Sequence, residues 1–501
     1  MMRIQTSLLL GLLAGLAAVS ASGAPRLESC HVDGVREALR CGHVQVLESD
    51  GGERVLDLRV VILPATRPNP LPDPLVVLAG GPGQAASALT PMFRAAFGDV
   101  HESRDIVLID QRGTGESNAL DCPLTESSSA LSEQTLSDLR SCVETLEDHA
   151  DLSAYSTYHA ADDLERVRQA FGWPLINLWG GSYGSRLALV YQDRYPERVR
   201  SMVLDGVAPY SLRLPLPNAA SAQRAFDQLV ADCAADAACR ASFPDPAADL
   251  DAILGSQDAS SQTASSQTAV QPLEVEHPLT GEKIDVHWNR ASISGAVRAI
   301  LYETRRASLL PYLLRRAAAG DFEPLFATSL EVTGQALETM HLGLTYTVLC
   351  SEDLPRIDPA EVTDATAGTF AGRSEYDSTR HVCETWPTTD LPARFDSLGR
   401  QETPALLLSG ALDPVTPPAW GEEALELLPN GRHEVVSGVA HITSFSGCAP
   451  RLIAEFLDAG SADELETECL GSLRRPPFVL GPAGPALDSS AGGPTATEGR
   501  K

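Results

Sequence analysis

The stretch Leu175-Ile176-Asn177-Leu178-Trp179-Gly180-Gly181-Ser182-Tyr183-Gly184 decides how this chain folds. Leu175 to Trp179 is a short, nearly continuous apolar run, as expected of a strand buried on both faces. It ends in glycine, and Arg186 to Arg194 beyond it has helical character. A serine between the two sits on a tight strand-to-helix turn that lifts its hydroxyl clear of the sheet edge. Glycines at both ends relieve the crowding of that turn. The N-terminus of the helix supplies backbone N–H groups and a dipole suited to a developing oxyanion. An ordinary turn serine could match G-x-S-x-G alone; the strand before it and the helix after it single out Ser182 as a nucleophile.

Similar runs recur on either side. Residues 56–64, 74–78 and 106–109 read as strands before this one, and 199–204, 405–408 and 434–436 as strands after it. Most are four to six apolar residues followed by a Gly-rich turn, which indicates parallel strands in an α/β sheet. Between Val207 and about Arg400 the chain turns helical, with Ala219 to Ala235, Ala291 to Ala318 and Ala327 to Met340 amphipathic or rich in Ala and Leu. That block reads as a helical subdomain inserted between two halves of the sheet. Within it, the tandem Ser-Ser-Gln-Thr-Ala repeat at 260–264 and 265–269 reads as part of a mobile loop over 256–271. The expected organisation is core over 24–207, cap over 208–400, core again over 401–476, and a disordered tail over 477–501.

A serine hydroxyl needs a base, and the base needs a carboxylate to orient it. Asp413 follows the run Leu406 to Leu408, and His441 follows the last strand, so both fall at the carboxyl ends of strands, where open α/β sheets place their sites. Glu402, Glu434 and His433 lie at strand starts, toward the opposite edge. The second oxyanion donor is expected from Gly80-Gly81-Pro82-Gly83, with the N–H of Gly81 paired with that of Tyr183. No Lys-Ser/Thr follows these glycines, so a phosphate cradle is disfavoured, and no His/Glu spacing suggests a catalytic metal. No cofactor is implied. Aspartate at position 182 would be needed for a dehalogenase or an epoxide hydrolase, so Ser182 excludes both.

Composition limits the partners. Apolar residues make up 43% of 501, enough for a real core, while 38 basic against 67 acidic residues leave a net charge of −29. That field repels phosphate and excludes general nucleic-acid binding or recruitment to an anionic membrane. Met1-Met2-Arg3, the apolar run Leu8 to Ala18 and the small residues to Ala24 form a secretory signal peptide over 1–23, too short to span a bilayer comfortably. No later segment resembles a membrane span. The mature protein is expected to be exported, periplasmic or secreted. Ten cysteines suit that compartment and fall as Cys30/Cys41, Cys122/Cys142, Cys233/Cys239, Cys350/Cys383 and Cys448/Cys469. Neighbour pairing is the preferred connectivity, since each pair sits in one local segment; a zinc site lacks the paired C-x-x-C spacing.

Leu-Ala-Gly-Gly-Pro-Gly (78–83), Asp-Gln-Arg-Gly-Thr-Gly-Glu-Ser (110–117), Gly-Gly-Ser-Tyr-Gly (180–184), Asp413 and His441 together resemble the prolyl iminopeptidase and tripeptidyl aminopeptidase group of α/β-hydrolases. The secreted tripeptidyl aminopeptidase-like branch is the nearer likeness, through the pattern from Cys350 by Cys383 to Cys469. The resemblance covers roughly 28–475. It implies an α/β-hydrolase fold with an inserted helical cap, and a serine peptidase that releases residues or short peptides from free N-termini. Prolyl iminopeptidases usually begin the oxyanion turn with histidine, where this chain has Ala79, which weakens proline-specific removal. An enzyme of free N-termini must hold an ammonium, and Glu352 and Asp353, beside Cys350, are candidates, with a solvated or structural role as the competing reading. Arg112 could bind substrate or pair with a buried carboxylate near the nucleophile, and the structural role is the preferred reading. The competing functions are a carboxylesterase or other small-molecule ester or amide hydrolase on the same triad, and a non-catalytic binding protein. Oligomeric state is left open.

Overall fold

The structure is a computed structural model that describes residues 25–49, 51–122, 133–263, 271–391 and 398–485. The expected signal peptide lies outside the described residues. A nine-stranded sheet forms the centre. Its strands are β1 (Glu28–Cys30), β2 (Leu39–Leu47), β3 (Val55–Leu63), β4 (Leu75–Leu78), β5 (Ile106–Ile109), β6 (Ile176–Gly181), β7 (Val199–Asp205), β10 (Ala405–Gly410) and β11 (Gly431–Val436). Their order is β1-β2-β3-β5-β4-β6-β7-β10-β11. From β5 to β11 every neighbouring pair is parallel. β1, β2 and β3 join antiparallel at one edge, and β3 meets β5 antiparallel.

The split follows the residue pattern. β4, β5, β6 and β10 are buried at every position, so their runs lack alternation. β2 alternates, its polar Arg40, His43 and Gln45 facing out, and the first half of β3 does the same. Because 56–64 merges that alternation with Val60–Leu63, it reads as one more parallel strand. The structure makes it antiparallel, paired with β2, a strand whose weak apolar signal hides it in the sequence.

The cap differs from an all-helical insertion. It contains the hairpin of β8 (Gln271–Glu276) and β9 (Lys283–Trp288), and Val275, Val286 and Trp288 pack with the helices around Phe226, Leu229, Ile293 and Leu314. Residues 256–263, expected in a mobile loop, continue the helix Pro246–Thr263; their Ala, Ser and Gln residues tolerate a helix that the buried Leu250, Ile253 and Leu254 anchor. The rest of the repeat, 264–270, lies outside the described residues. Leu344, Val348, Cys350, Val382 and Trp386 pack into the core of the main sheet, so these parts of the 208–400 segment join the core, while Leu310, Leu325 and Phe370 stay in the cap's own cluster. The tail also departs from expectation up to residue 485. Phe478 is buried among cap residues, and the Val479 N–H donates to Ser308 O at 3.2 Å. Residues 486–501 lie outside the described residues. No helix among the described residues is long and apolar enough to cross a membrane.

Five disulfides join Cys30 to Cys41, Cys122 to Cys142, Cys233 to Cys239, Cys350 to Cys383 and Cys448 to Cys469.

Candidate active site

β6 delivers Ser182 directly into the helix Tyr183–Arg194. Ser182 holds φ 54° and ψ −125°, a conformation that non-glycine residues avoid and that marks a functional turn. Its N–H is fixed by the carbonyl of Asp205 at 2.8 Å, and the Ser185 N–H and hydroxyl both donate to its carbonyl. The helix can begin this close to the sheet only because position 184 is glycine: a Cβ there would sit 2.0 Å from Leu78 O. Gly80 lies alongside, where a Cβ would stand 3.2 Å from Ser182 Cβ. Gly81 next to it has φ 107°, open in practice to glycine alone. The turn carrying Gly81 and the start of the helix carrying Tyr183 thus flank the serine. The stretch that packs from the inserted segment onto the core braces that turn, with the His341 N–H donating to Gly83 O at 2.9 Å and the Thr345 hydroxyl to Pro82 O at 2.6 Å.

Asp413 and His441 come together across 28 residues, Nδ1 to Oδ2 at 2.8 Å. Asp413 is fully buried. Its Oδ1 accepts the N–H groups of Val415 and Thr416 at 2.8 and 2.9 Å, and its Oδ2 accepts the Thr416 hydroxyl at 2.9 Å. Burial pushes this carboxyl up. The charge of His441 and these hydrogen bonds outweigh it and hold Asp413 below the usual carboxylate range. For His441 burial acts downward, and the charge and hydrogen bond of Asp413, aided by the charge of Asp205, raise it above its ordinary value. A histidine so held takes a proton readily and passes it on, which is what a serine nucleophile needs.

The cap reaches this base. Tyr302 sets its ring edge-to-face on the imidazole, centroids 5.3 Å apart, and its carbonyl accepts the His441 N–H at 3.4 Å. The Thr304 hydroxyl accepts the Ala440 N–H at 2.8 Å. Arg224, from the cap helix Asn218–Ala235, donates to Ala411 O at 3.1 Å and to Asp413 O. Thr416 stands inside the stretch that carries Asp413, and Asp205 ends a strand at the catalytic edge, so both had a sequence signal. The cap residues had none, because nothing local ties them to loops more than a hundred residues away.

Glu352 and Asp353 are placed differently from a site for a substrate amine. They are 0% and 1% exposed, at the joint between cap and core. Glu352 accepts the N–H and hydroxyl of Thr157 at 2.6 and 2.7 Å, while Asp353 pairs with Arg186 at 2.9 Å and Arg356 at 3.0 Å. Both partners of Asp353 bind its Oδ1, and its Oδ2 is buried without a hydrogen bond. Arg112 is internal, bonded through two nitrogens to Asp163 at 2.6 and 2.7 Å. His433 lies within β11 with its Nε2 2.9 Å from the Ser409 hydroxyl, and Glu434 pairs with Arg432 at 2.7 Å. Among the described residues no cluster of His, Cys, Asp and Glu could hold a metal ion.

Residues 73–242 match the family described as alpha/beta hydrolase fold, and residues 369–469 the family described as TAP-like protein. The serine protease Hip1 of Mycobacterium tuberculosis is 32% identical over 186 residues, covering 33% of this chain and 36% of that one. A putative hydrolase of Escherichia coli, YuaR, is 27% identical over 218 residues, 40% of this chain and 44% of its own. The proline iminopeptidase of Neisseria gonorrhoeae is 34% identical over 140 residues, 28% and 34% of the two chains. The chain therefore spans less than half the length of each of these curated relatives. Strand order and the strand-to-helix turn at Ser182 agree with the first matched segment: the chain has the α/β-hydrolase fold, and its residues 369–469 are similar to a TAP-like protein.

Proposed function

We propose that the protein is an exported serine aminopeptidase, acting on peptides with free N-termini through an acyl-enzyme. The observation that carries the reading is Ser182 on its strained turn beside an Asp413–His441 pair bonded at 2.8 Å. In the first step His441 Nε2 accepts the Ser182 hydroxyl proton as Oγ attacks the scissile carbonyl. The N–H groups of Gly81 and Tyr183 receive the oxyanion. His441 then returns its proton to the leaving amine, and the acyl-serine remains. Water, deprotonated by the same imidazole, attacks the acyl carbonyl, and as the bond to Oγ breaks the imidazolium returns that proton to Ser182, releasing the acid. Asp413 keeps Nδ1 protonated and stabilises the imidazolium in both halves. Thr416 fixes Asp413 from a third direction.

Two features favour N-termini over internal sites. A cap rests on the catalytic histidine, which restricts the approach of a folded chain. A serine protease and proline iminopeptidases are among the similar proteins. With Glu352 and Asp353 buried, a second candidate for the amine is Glu375 on the cap, whose Oε1 accepts the Asn218 amide at 2.7 Å. It is 42% exposed and pairs at 3.3 Å with Arg298, whose guanidinium donates to the Tyr302 hydroxyl above the base. Export rests on the N-terminal pattern of residues 1–23 and on five disulfides, which persist outside the reducing cytoplasm.

The test is a panel of aminoacyl and tripeptidyl chromogenic amides, free and N-acetylated, beside short-chain esters. Free-amine amides should be cleaved at least about tenfold faster than their acetylated forms, because acetylation removes the charge that a cap carboxylate holds. Equal rates, or turnover of esters alone, would replace the aminopeptidase reading with the carboxylesterase one.

A further inference from the structure

Asp205 sits at the last position of β7, between the strand that delivers Ser182 and the strand that delivers Asp413. It is 0% exposed. Its carbonyl takes the Ser182 N–H at 2.8 Å. Its carboxylate takes the Thr443 N–H at 2.9 Å on Oδ1 and 2.8 Å on Oδ2, the Thr443 hydroxyl at 3.0 Å, and the Ser444 N–H at 2.6 Å. Every partner is a donor, which favours the ionised carboxylate, while burial pushes the group above its ordinary value. Between His441 and Thr443 stands Ile442 at φ 65°, a left-handed conformation that a β-branched residue adopts only when its surroundings force it. The next residue after Asp205, Gly206, lies against the imidazole: a Cβ there would stand 3.1 Å from His441 Cε1.

We propose that Asp205 is a positioning residue for the base, holding the turn that carries His441 in its strained form while its own main chain anchors the nucleophile. One buried residue thereby sets the spacing between the two reacting side chains. The inference rests on the assignment of Ser182 and His441 given above. The charged and titratable groups facing His441 are Asp413 on the turn after β10, Asp205 on β7, and Arg298 and Tyr302 from the cap. The charge of Asp205 adds to that of Asp413 in favouring the imidazolium.

The experiment compares wild type with Asp205→Asn, which keeps the size of the side chain but turns an NH₂ toward backbone donors. Steady-state rates across pH, thermal unfolding and labelling by a fluorophosphonate are measured on the same preparations. The folded variant should lose about tenfold or more in kcat with KM little changed, because a charge-assisted hydrogen bond no longer holds the base in place at the transition state. The midpoint of the acid limb should fall by about half a unit to one unit as one of two carboxylates leaves the imidazolium. Loss of stability alone moves neither kcat per labelled site nor that midpoint. If Asp205→Asn does not accumulate, the same comparison is made in an Ile442→Gly background, where the turn no longer needs forcing. There the double variant should fold, recover part of kcat, and still show the lowered midpoint. A folded variant with the kcat and midpoint of its parent overturns the proposal. Ser182→Ala, run in parallel, separates the failures: retained labelling there refutes the nucleophile itself, whereas its loss leaves only the role of Asp205 in question.

Discussion

Glu352 is bound to Thr157 twice, through the backbone N–H at 2.6 Å and the hydroxyl at 2.7 Å, and Thr157 in turn meets the Tyr183 hydroxyl at 2.7 Å. This buried carboxyl therefore props the first residue of the nucleophile helix from the side of the cap joint. Burial raises it to about 7, against the opposing pull of Arg186 and the Thr157 hydrogen bonds. Its ordinary value is 4.5, so between about 4.5 and about 7 the folded protein binds more protons than the unfolded chain. Stability contributed by this group is full below that window and declines as pH rises through it. Glu352→Gln, neutral throughout, should match wild type near pH 5 and gain relative stability toward pH 8. Thermal unfolding at the two pH values checks this; a variant that loses ground at pH 8 would show that ionised Glu352 is favoured by the fold.

Asp413 and His441 shift in opposite directions for one reason, their mutual attraction in a buried site. Because His441 is raised, the acid limb of activity should have its midpoint above 6.5. The depressed Asp413 stabilises the fold above its unfolded value of 3.8, and that contribution is lost as pH falls through the folded one. The raised His441 stabilises it fully below 6.5 and loses that contribution as pH rises through the folded value. Asp413→Asn should lower kcat by about 10⁴, in line with the same change in a serine protease triad. Near-normal turnover in that variant would place the orienting carboxylate elsewhere.

Thr304 offers the only polar side chain from the cap that the structure records on the backbone of the base loop among the described residues. Thr304→Val leaves the Ala440 N–H, in a residue 1% exposed, without that acceptor. An unmet buried donor costs about 1–3 kcal/mol. Part of that should appear as a fall of kcat by about three- to tenfold as the loop relaxes. Equal kcat in valine and wild type, with lower stability, would make this hydrogen bond structural only.

The disulfides should differ in weight. Cys350–Cys383 closes 33 residues and links the cap joint to the helix Ser374–Cys383, whereas Cys233–Cys239 closes 6. Chain entropy assigns about 4 kcal/mol to the first and about 2 kcal/mol to the second. Denaturant midpoints of the two double Cys→Ser variants test the order, and the longer loop should be the costlier to open.

Ser182 and Asp413 follow strands with continuous apolar runs, whereas the strand before His441, β11, is apolar only at Val435 and Val436; the parallel order of the three strands brings the three residues to one edge. The sheet was readable where burial is two-sided and obscure where it is one-sided, as in β2. Asp205 and its partners stand 238 and 239 residues apart, and no local pattern encodes that pairing. Glu352 and Asp353 read from sequence as candidates for a substrate ammonium or as structural acids; their burial depends on Arg186 and Thr157, which the chain supplies from far upstream. Residues 256–263 have a composition that suits a loop, yet the anchored turns before them carry the helix through.

Phe478 fills a place in the cap beside residues synthesised up to about 250 positions earlier, including Phe226 and Leu229. The Ser308 hydroxyl also reaches Pro476 O at 3.1 Å. The cap's interior is therefore incomplete until the chain has run through the whole second half of the sheet and come back. The inserted lobe cannot reach its final packing until a segment that follows Ser182, Asp413 and His441 in the chain has been synthesised.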